Sequence, residues 1–255
     1  MRFHRFGHGR PFVALHGFTL TGEQFSSLAD KLGREVIAPD LPGHGLNADA
    51  ATDIDQVVDA TCNLTSSLDQ PVPVLGYSQG GRVALLAALN CAASVERLVL
   101  ISANAGIETE QLRRNRATQD DALAARIEMI GIERFIDTWT SEGLTSTEGL
   151  DPASRERDRE IRMANTAQGL ANALRGYGQG VQPVVWSDLP RLTMPVLVIA
   201  GAEDDRYRDI ATRMAEQIPD AALVVVPDAG HNPLAEEPEA TVDAISAFVN
   251  SDGRT

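Results

Sequence analysis

Short apolar runs alternate with amphipathic stretches along most of this chain. Runs at 12–15, 35–38, 73–77, 95–102, 195–201 and 223–226 are rich in valine, isoleucine and leucine. Such runs mark strands buried on both faces, as in a parallel sheet covered by helices. Residues 1–10 read as a short polar strand or the start of a hairpin. Between the runs, apolar positions recur at helical spacing. They predict helices over 22–32, 54–68, about 79–91, 207–217 and 236–250, the last a single amphipathic helix. Strand–helix alternation of this kind gives an α/β fold with a mostly parallel central sheet flanked by helices.

The alternation stops after residue 102. No further β-rich run occurs before Pro195, and helices are predicted over 108–129, 131–140, 152–163 and 166–175. The glycine-rich stretch 176–183 reads as a flexible return. We therefore expect a core of residues 1–102 and 191–255 and a helical lid, residues 103–190, inserted after the sixth strand of the fold. The insertion holds ten arginines against fourteen acids, and the core twelve basic residues against twenty-two acids. The insertion is thus the less acidic part.

One stretch carries chemistry. Gly76-Tyr77-Ser78-Gln79-Gly80 joins the run 73–77 to an alanine- and leucine-rich segment. A serine on so tight a strand-to-helix turn is forced into a strained conformation and lifted above the sheet edge. Glycines two residues to either side avoid collisions with neighbouring backbone. The following helix turns its free N–H groups and positive end toward the serine.

Two further groups complete a constellation. His231 is the sole histidine in the second half of the chain and follows the final apolar run in Ala229-Gly230-His231-Asn232-Pro233. An acid is expected after the preceding strand, where Glu203, Asp204 and Asp205 are consecutive. In a tight turn only one can point at the histidine, and Asp204, three residues after Gly201, is the choice. Ser78, Asp204 and His231 then form a catalytic triad with the chain order Ser…Asp…His. The oxyanion hole is assigned to the backbone N–H groups of Phe18, in His16-Gly17-Phe18, and of Gln79. His16 is read as a structural residue that bonds local backbone.

Composition narrows the partners. The formal net charge of −14 argues against nucleic acid and anionic membranes. No apolar run approaches the length of a membrane span, and no signal-peptide core is evident, so a cytoplasmic protein is expected. The histidines show no metal-ligand spacing, and the triad chemistry needs no cofactor. Cys62 and Cys91 lie in apolar helical stretches and are expected as buried free thiols. A monomer or homodimer acting on a small molecule fits this profile.

Taken together, Leu-His-Gly-Phe at 15–18, Pro-Asp-Leu-Pro-Gly-His-Gly at 39–45, the Ser78 turn, Gly-x-x-Asp at 201–204 and Ala-Gly-His-Asn at 229–232 resemble the α/β-hydrolase superfamily along the whole chain. Within it, Leu-His-Gly-Phe-Thr at 15–19, Gly-Tyr-Ser-Gln-Gly-Gly-Arg-Val-Ala-Leu at 76–85, the arginine-rich start of the insertion with Phe135 and Trp139, and Arg162-x-x-Asn165 are similar to the 2-succinyl-6-hydroxy-2,4-cyclohexadiene-1-carboxylate (SHCHC) synthase family. That resemblance implies a lyase of menaquinone biosynthesis whose triad abstracts a proton and expels pyruvate from an enolpyruvyl substrate. It implies that Tyr77, Arg82, Arg116, Trp139 and Arg162 hold a small-molecule carboxylate substrate. On spacing alone Arg82 either flanks the pocket or pairs with a core acid, and Arg116 and Arg162 either face the site or lie on a solvated face. There are three departures from the family, and those at Gln79 and Leu234 favour the alternative, a serine hydrolase (carboxylesterase or C–C bond hydrolase) of a small acidic or ester substrate. Gln79 replaces an aliphatic residue, Leu234 replaces a second histidine, and the segment 140–145 lacks the usual proline and phenylalanine.

Overall fold

A computed structural model of the chain describes residues 1–50, 53–141 and 146–251. Seven strands form one sheet: β1 (Phe3–Phe6), β2 (Pro11–Leu15), β3 (Glu35–Pro39), β4 (Val72–Tyr77), β5 (Val95–Ile101), β6 (Val196–Gly201) and β7 (Ala221–Val226). Their order is β1-β3-β2-β4-β5-β6-β7. Only β1 is antiparallel, and it pairs with β3 rather than forming a hairpin with β2. The other strands run parallel, so their carboxyl ends share one edge.

The two-residue period of each strand divides the core between the faces of the sheet. Val13, Leu15, Val74, Leu98 and Leu100 point to one side. They pack with residues of α2 (Ile54–Ser66), α3 (Gln79–Asn90) and α8 (Asp205–Gln217). Phe12, Ala14, Leu75, Val99 and Ile101 point to the other, against α1 (Leu28–Leu32) and α10 (Pro238–Asn250). This is the expected α/β-hydrolase fold.

The stretch between β5 and β6 is helical, as expected: α4 (Glu110–Ile130), α5 (Ile132–Trp139), α6 (Pro152–Met163) and α7 (Ala167–Tyr177). It has a small core of its own around Ile127, Phe135, Ile136, Leu170 and Leu174. Five strands of this chain, not six, precede it. The segment 140–145 falls partly outside the described residues.

Several boundaries differ from expectation. The helix expected over 22–32 is a 3₁₀ turn (Gly22–Phe25) followed by α1, which ends at Gly33 in the left-handed region. Ser26 and Ser27 lie between the two, and serine favours helix ends over interiors. The helix expected over 236–250 divides into α9 (Pro233–Glu236) and α10, because Pro238 has no N–H to continue the first. The return 176–183 is pinned rather than flexible. Tyr177 is buried and donates to the Pro42 carbonyl. The Gly180 N–H donates to Asp120 (2.9 Å), and buried Gln182 donates to the Asn104 carbonyl (3.0 Å). Cys62 and Cys91 are half-buried and joined in a disulfide between α2 and the end of α3. They are not buried free thiols. Their 29-residue separation carried no pairing signal, and helix packing brings their Cα atoms to 5.8 Å.

Candidate active site

The site forms where β4 turns into α3. Ser78 has φ 50° and ψ −107°, a strained conformation for a residue with a side chain. It persists because neighbouring backbone presses in on both sides. A Cβ at Gly76 would overlap the Gly80 carbonyl, and one at Gly80 would overlap the Leu15 carbonyl. The turn after β2 abuts the elbow, since a Cβ on Gly17 would lie 3.6 Å from the Ser78 Cβ. Phe18, the next residue of that turn, lines the same cavity as Ser78. The Gln79 N–H opens α3 and has no acceptor within its own helix.

His231 follows β7, and its Nε2 lies 3.0 Å from Ser78 Oγ. Its Nδ1 lies 2.7 Å from Asp204 Oδ2. Asp204 Oδ1 also accepts from the Tyr207 N–H at 3.1 Å. Burial pushes the Asp204 carboxyl up, but the His231 and Tyr207 bonds and the nearby Arg206 charge outweigh it and hold it below the usual range. An ionised Asp204 only accepts, so Nδ1 carries the proton and Nε2 is left to receive the Ser78 hydroxyl. Glu203 and Asp205 are exposed, as expected of a solvated turn. Glu236 accepts from the N–H groups on both sides of His231, Gly230 at 2.6 Å and Asn232 at 2.8 Å, and so fixes the loop.

His16 is structural, as expected. Its Nδ1 meets the Gly17 carbonyl at 2.9 Å and its Nε2 accepts from the Leu41 N–H at 2.8 Å. Burial lowers its pKa to about 4 and that of neighbouring His44 to about 3.

Above Ser78, between the sheet edge and the helical insertion, lies a cavity of about 450 Å³, ample for a small metabolite. Every residue expected to bind substrate borders it, in different electrostatic states. Tyr77 is buried at the end of β4, and burial raises its hydroxyl far above the usual range. Trp139 packs edge-on against Phe18 at 5.7 Å, bridging insertion and core. Arg116 is paired with Asp120 at 2.7 Å and bonded to Gln179. Arg162 is buried and held on two sides by Asp158, at 2.6 and 3.0 Å, with a third bond to Thr19 Oγ1. Among the described residues Arg82 has no acid within salt-bridge distance and meets only the Tyr177 carbonyl (3.3 Å) and Gln182 Oε1 (3.4 Å). Burial lowers its pKa to about 10.

Sequence reasoning missed two further cavity arginines, Arg126 and Arg206. Among the described residues, neither they nor Arg82 have a carboxylate within salt-bridge distance. The cavity acids are spent, Asp158 on Arg162 and Glu236 on the His231 loop. Arg126 was traceable, because Arg116, Leu123 and Arg126 follow the i, i+7, i+10 stripe of one helix face. Arg206 lies two residues beyond Asp204 and had no pattern of its own.

An elbow serine bonded to a histidine that is oriented by a buried acid, at the carboxyl edge of a parallel sheet, defines a class of enzyme. Residues 12–244 match the model of the alpha/beta hydrolase family, and the chain belongs to that family. It is an enzyme of the alpha/beta-hydrolase type. A Bacillus subtilis protein provisionally named 2-succinyl-6-hydroxy-2,4-cyclohexadiene-1-carboxylate synthase is 34% identical over 250 residues, which cover 94% of this chain and 90% of that protein. The structure of MenH from S. aureus superposes with a TM-score of 0.90 at 28% identity, covering 96% of this chain and 97% of the other. A malate-bound thermophilic esterase from Thermogutta terrifontis gives a TM-score of 0.75 at 26% identity, covering 97% and 92%. Among the described residues no helix is long and apolar enough to cross a membrane.

Proposed function

We propose that this enzyme is a lyase of menaquinone biosynthesis. It eliminates pyruvate from 2-succinyl-5-enolpyruvyl-6-hydroxy-3-cyclohexene-1-carboxylate to give SHCHC. The observation that carries the reading is the cavity charge: Arg82, Arg126 and Arg206 border it without a carboxylate partner among the described residues. Three cations with no salt-bridge partner among the described residues suit a substrate bearing several carboxylates. The similarity to a provisionally named SHCHC synthase and to MenH supports the same substrate.

The chemistry follows from the substrate and the triad. The succinyl carbonyl acidifies the hydrogen on ring carbon 2. Ser78 Oγ gives its proton to His231 Nε2 and takes this hydrogen, while Asp204 steadies the imidazolium. The electron pair moves first onto the succinyl oxygen, where the N–H groups of Phe18 and Gln79 serve as the oxyanion hole. It then returns through the ring. The double bond shifts, the C5–O bond breaks, and enolpyruvate leaves to take up a proton as pyruvate. No net oxidation occurs. Residues 103–190 act as a lid that keeps water from the charged intermediate. No cofactor or metal is called for.

A coupled pyruvate assay on wild type, Ser78→Ala and Arg82→Ala tests the proposal. Release that both substitutions abolish or cripple is the expected result, and a wild type that releases none refutes it. A second reading, a serine hydrolase of a small acidic or ester substrate, draws on the strained, His-bonded Ser78 and the likeness to the Thermogutta esterase. Ester hydrolysis that needs Ser78 but not Arg82 would favour it.

A further inference from the structure

Gln79 does more at this site than lend its backbone. The residue is 2% exposed and borders the cavity next to Ser78. Neither its amide nitrogen nor its amide oxygen has a hydrogen-bond partner among the described residues. Among the described residues it is the one with two unmatched buried side-chain polar atoms. A buried amide left this way costs stability, and such groups are retained where a ligand completes them. A methionine would fill the same space on α3 and keep the backbone N–H.

Gln79 and Arg82 are three residues apart on α3, so they share one face of the helix, and both border the cavity. Their chemistry is complementary. Arginine donates only, whereas an amide donates and accepts. A carboxylate satisfies Arg82 but leaves the Gln79 oxygen empty. A carboxylate with a hydroxyl one carbon further on, at the β position, satisfies both.

We infer that the Gln79 side chain is a specificity-determining group that reads the hydroxyl of a β-hydroxy carboxylate whose acid group lies on Arg82. This deepens the proposed function and rests on it, since that substrate carries a 6-hydroxyl beside its 1-carboxylate. Arg82 fixes the acid, and Gln79 selects the ring face on which the hydroxyl stands.

The test compares Gln79→Met with wild type in two readouts. The first is thermal melting of the free protein. Removing two unmatched buried groups should raise Tm by about 2–4 °C. The second is calorimetric binding of the enolpyruvyl substrate to Ser78→Ala and to Ser78→Ala/Gln79→Met, where turnover does not interfere. Loss of one hydrogen bond should weaken Kd about three- to tenfold. Higher Tm together with weaker binding establishes the role. Higher Tm with unchanged Kd overturns it, because the amide would then be a packing remnant. A lower Tm also overturns it, because the amide would have partners in the free protein. Failure of Ser78→Ala to bind the substrate overturns it as well. A wild type whose Ser78→Ala form binds substrate but which releases no pyruvate sinks the lyase reading alone, and the Kd comparison still decides the part played by Gln79.

Discussion

Replacing Arg162 by methionine should unfold the protein sooner rather than merely weaken substrate binding. Arg162 is 4% exposed and Asp158 9%, so both charges lie out of water. Their two bonds, 2.6 and 3.0 Å, form a fork that neutralises both. Arg162 also reaches Thr19 Oγ1, and Asn165, at the end of the same helix, donates to the Thr19 carbonyl at 2.6 Å. Thr19 has φ 69°, in the left-handed region, and adjoins Phe18. Arginine and asparagine together hold a strained turn that supplies one amide of the proposed oxyanion hole. Arg162→Met strands the Asp158 carboxylate, which costs about 3–5 kcal/mol, or on the order of 10 °C in Tm for a chain of this size. Adding Asp158→Leu removes the stranded charge and should restore most of the loss, because an apolar pair replaces a buried ion pair at little cost. Thermal denaturation by circular dichroism of the wild type, the single variant and the double variant measures both effects. A single variant melting within about 2 °C of wild type would refute the reasoning. So would a double variant no more stable than the single. Either result would release Arg162 from the fold and leave it free to bind substrate.

Other outcomes follow from the same geometry. Asp204→Asn should fold but turn over about four orders of magnitude more slowly, because an amide facing Nδ1 favours the tautomer with the proton on Nε2; activity within tenfold of wild type would rule out the triad assignment. The buried histidines make stability fall in acid. His16 and His44 titrate near 6.5 when unfolded but at about 4 and 3 when folded, so the stability they contribute is full above pH 6.5 and is lost as pH falls toward those values. Between pH 6.5 and 5 the loss is on the order of 3 kcal/mol, and a flat Tm over that range would contradict it. Cys62→Ala/Cys91→Ala should cost about 3–4 kcal/mol in denaturant unfolding, the value for closing a loop of 29 residues. An unchanged midpoint would mean the crosslink is idle.

The arrangement of strands and helices was legible because its causes are local. A run such as Phe12–Leu15 has no polar face, so it must be covered on both sides. The crowding that forces Ser78 to positive φ is written in Gly76 and Gly80. The order of serine, acid and histidine needed no knowledge of distance, and a single histidine in the second half left one choice. The acid was settled among three neighbours by a glycine spacing, and the Nδ1 contact falls on that residue.

Tertiary structure decided whatever depends on which side chains meet across the fold. Cys62 and Cys91 lie on different helices, and only the packing of α2 against α3 brings them into bonding range. Ten insertion arginines look alike in sequence. Whether one is spent, as Arg162 is on Asp158, or faces the cavity with no acid partner among the described residues, as Arg126 does, depends on how the helices pack. The glycine-rich return 176–183 read as flexible from composition, yet Asp120, Asn104 and Pro42 hold it through bonds that no local pattern encodes. Gln79 carries the same lesson. Its position in the elbow was plain, but that both ends of its amide lie buried and unmatched beside a cavity is a property of the folded chain alone, because a polar group is satisfied or stranded by whatever the rest of the molecule places around it.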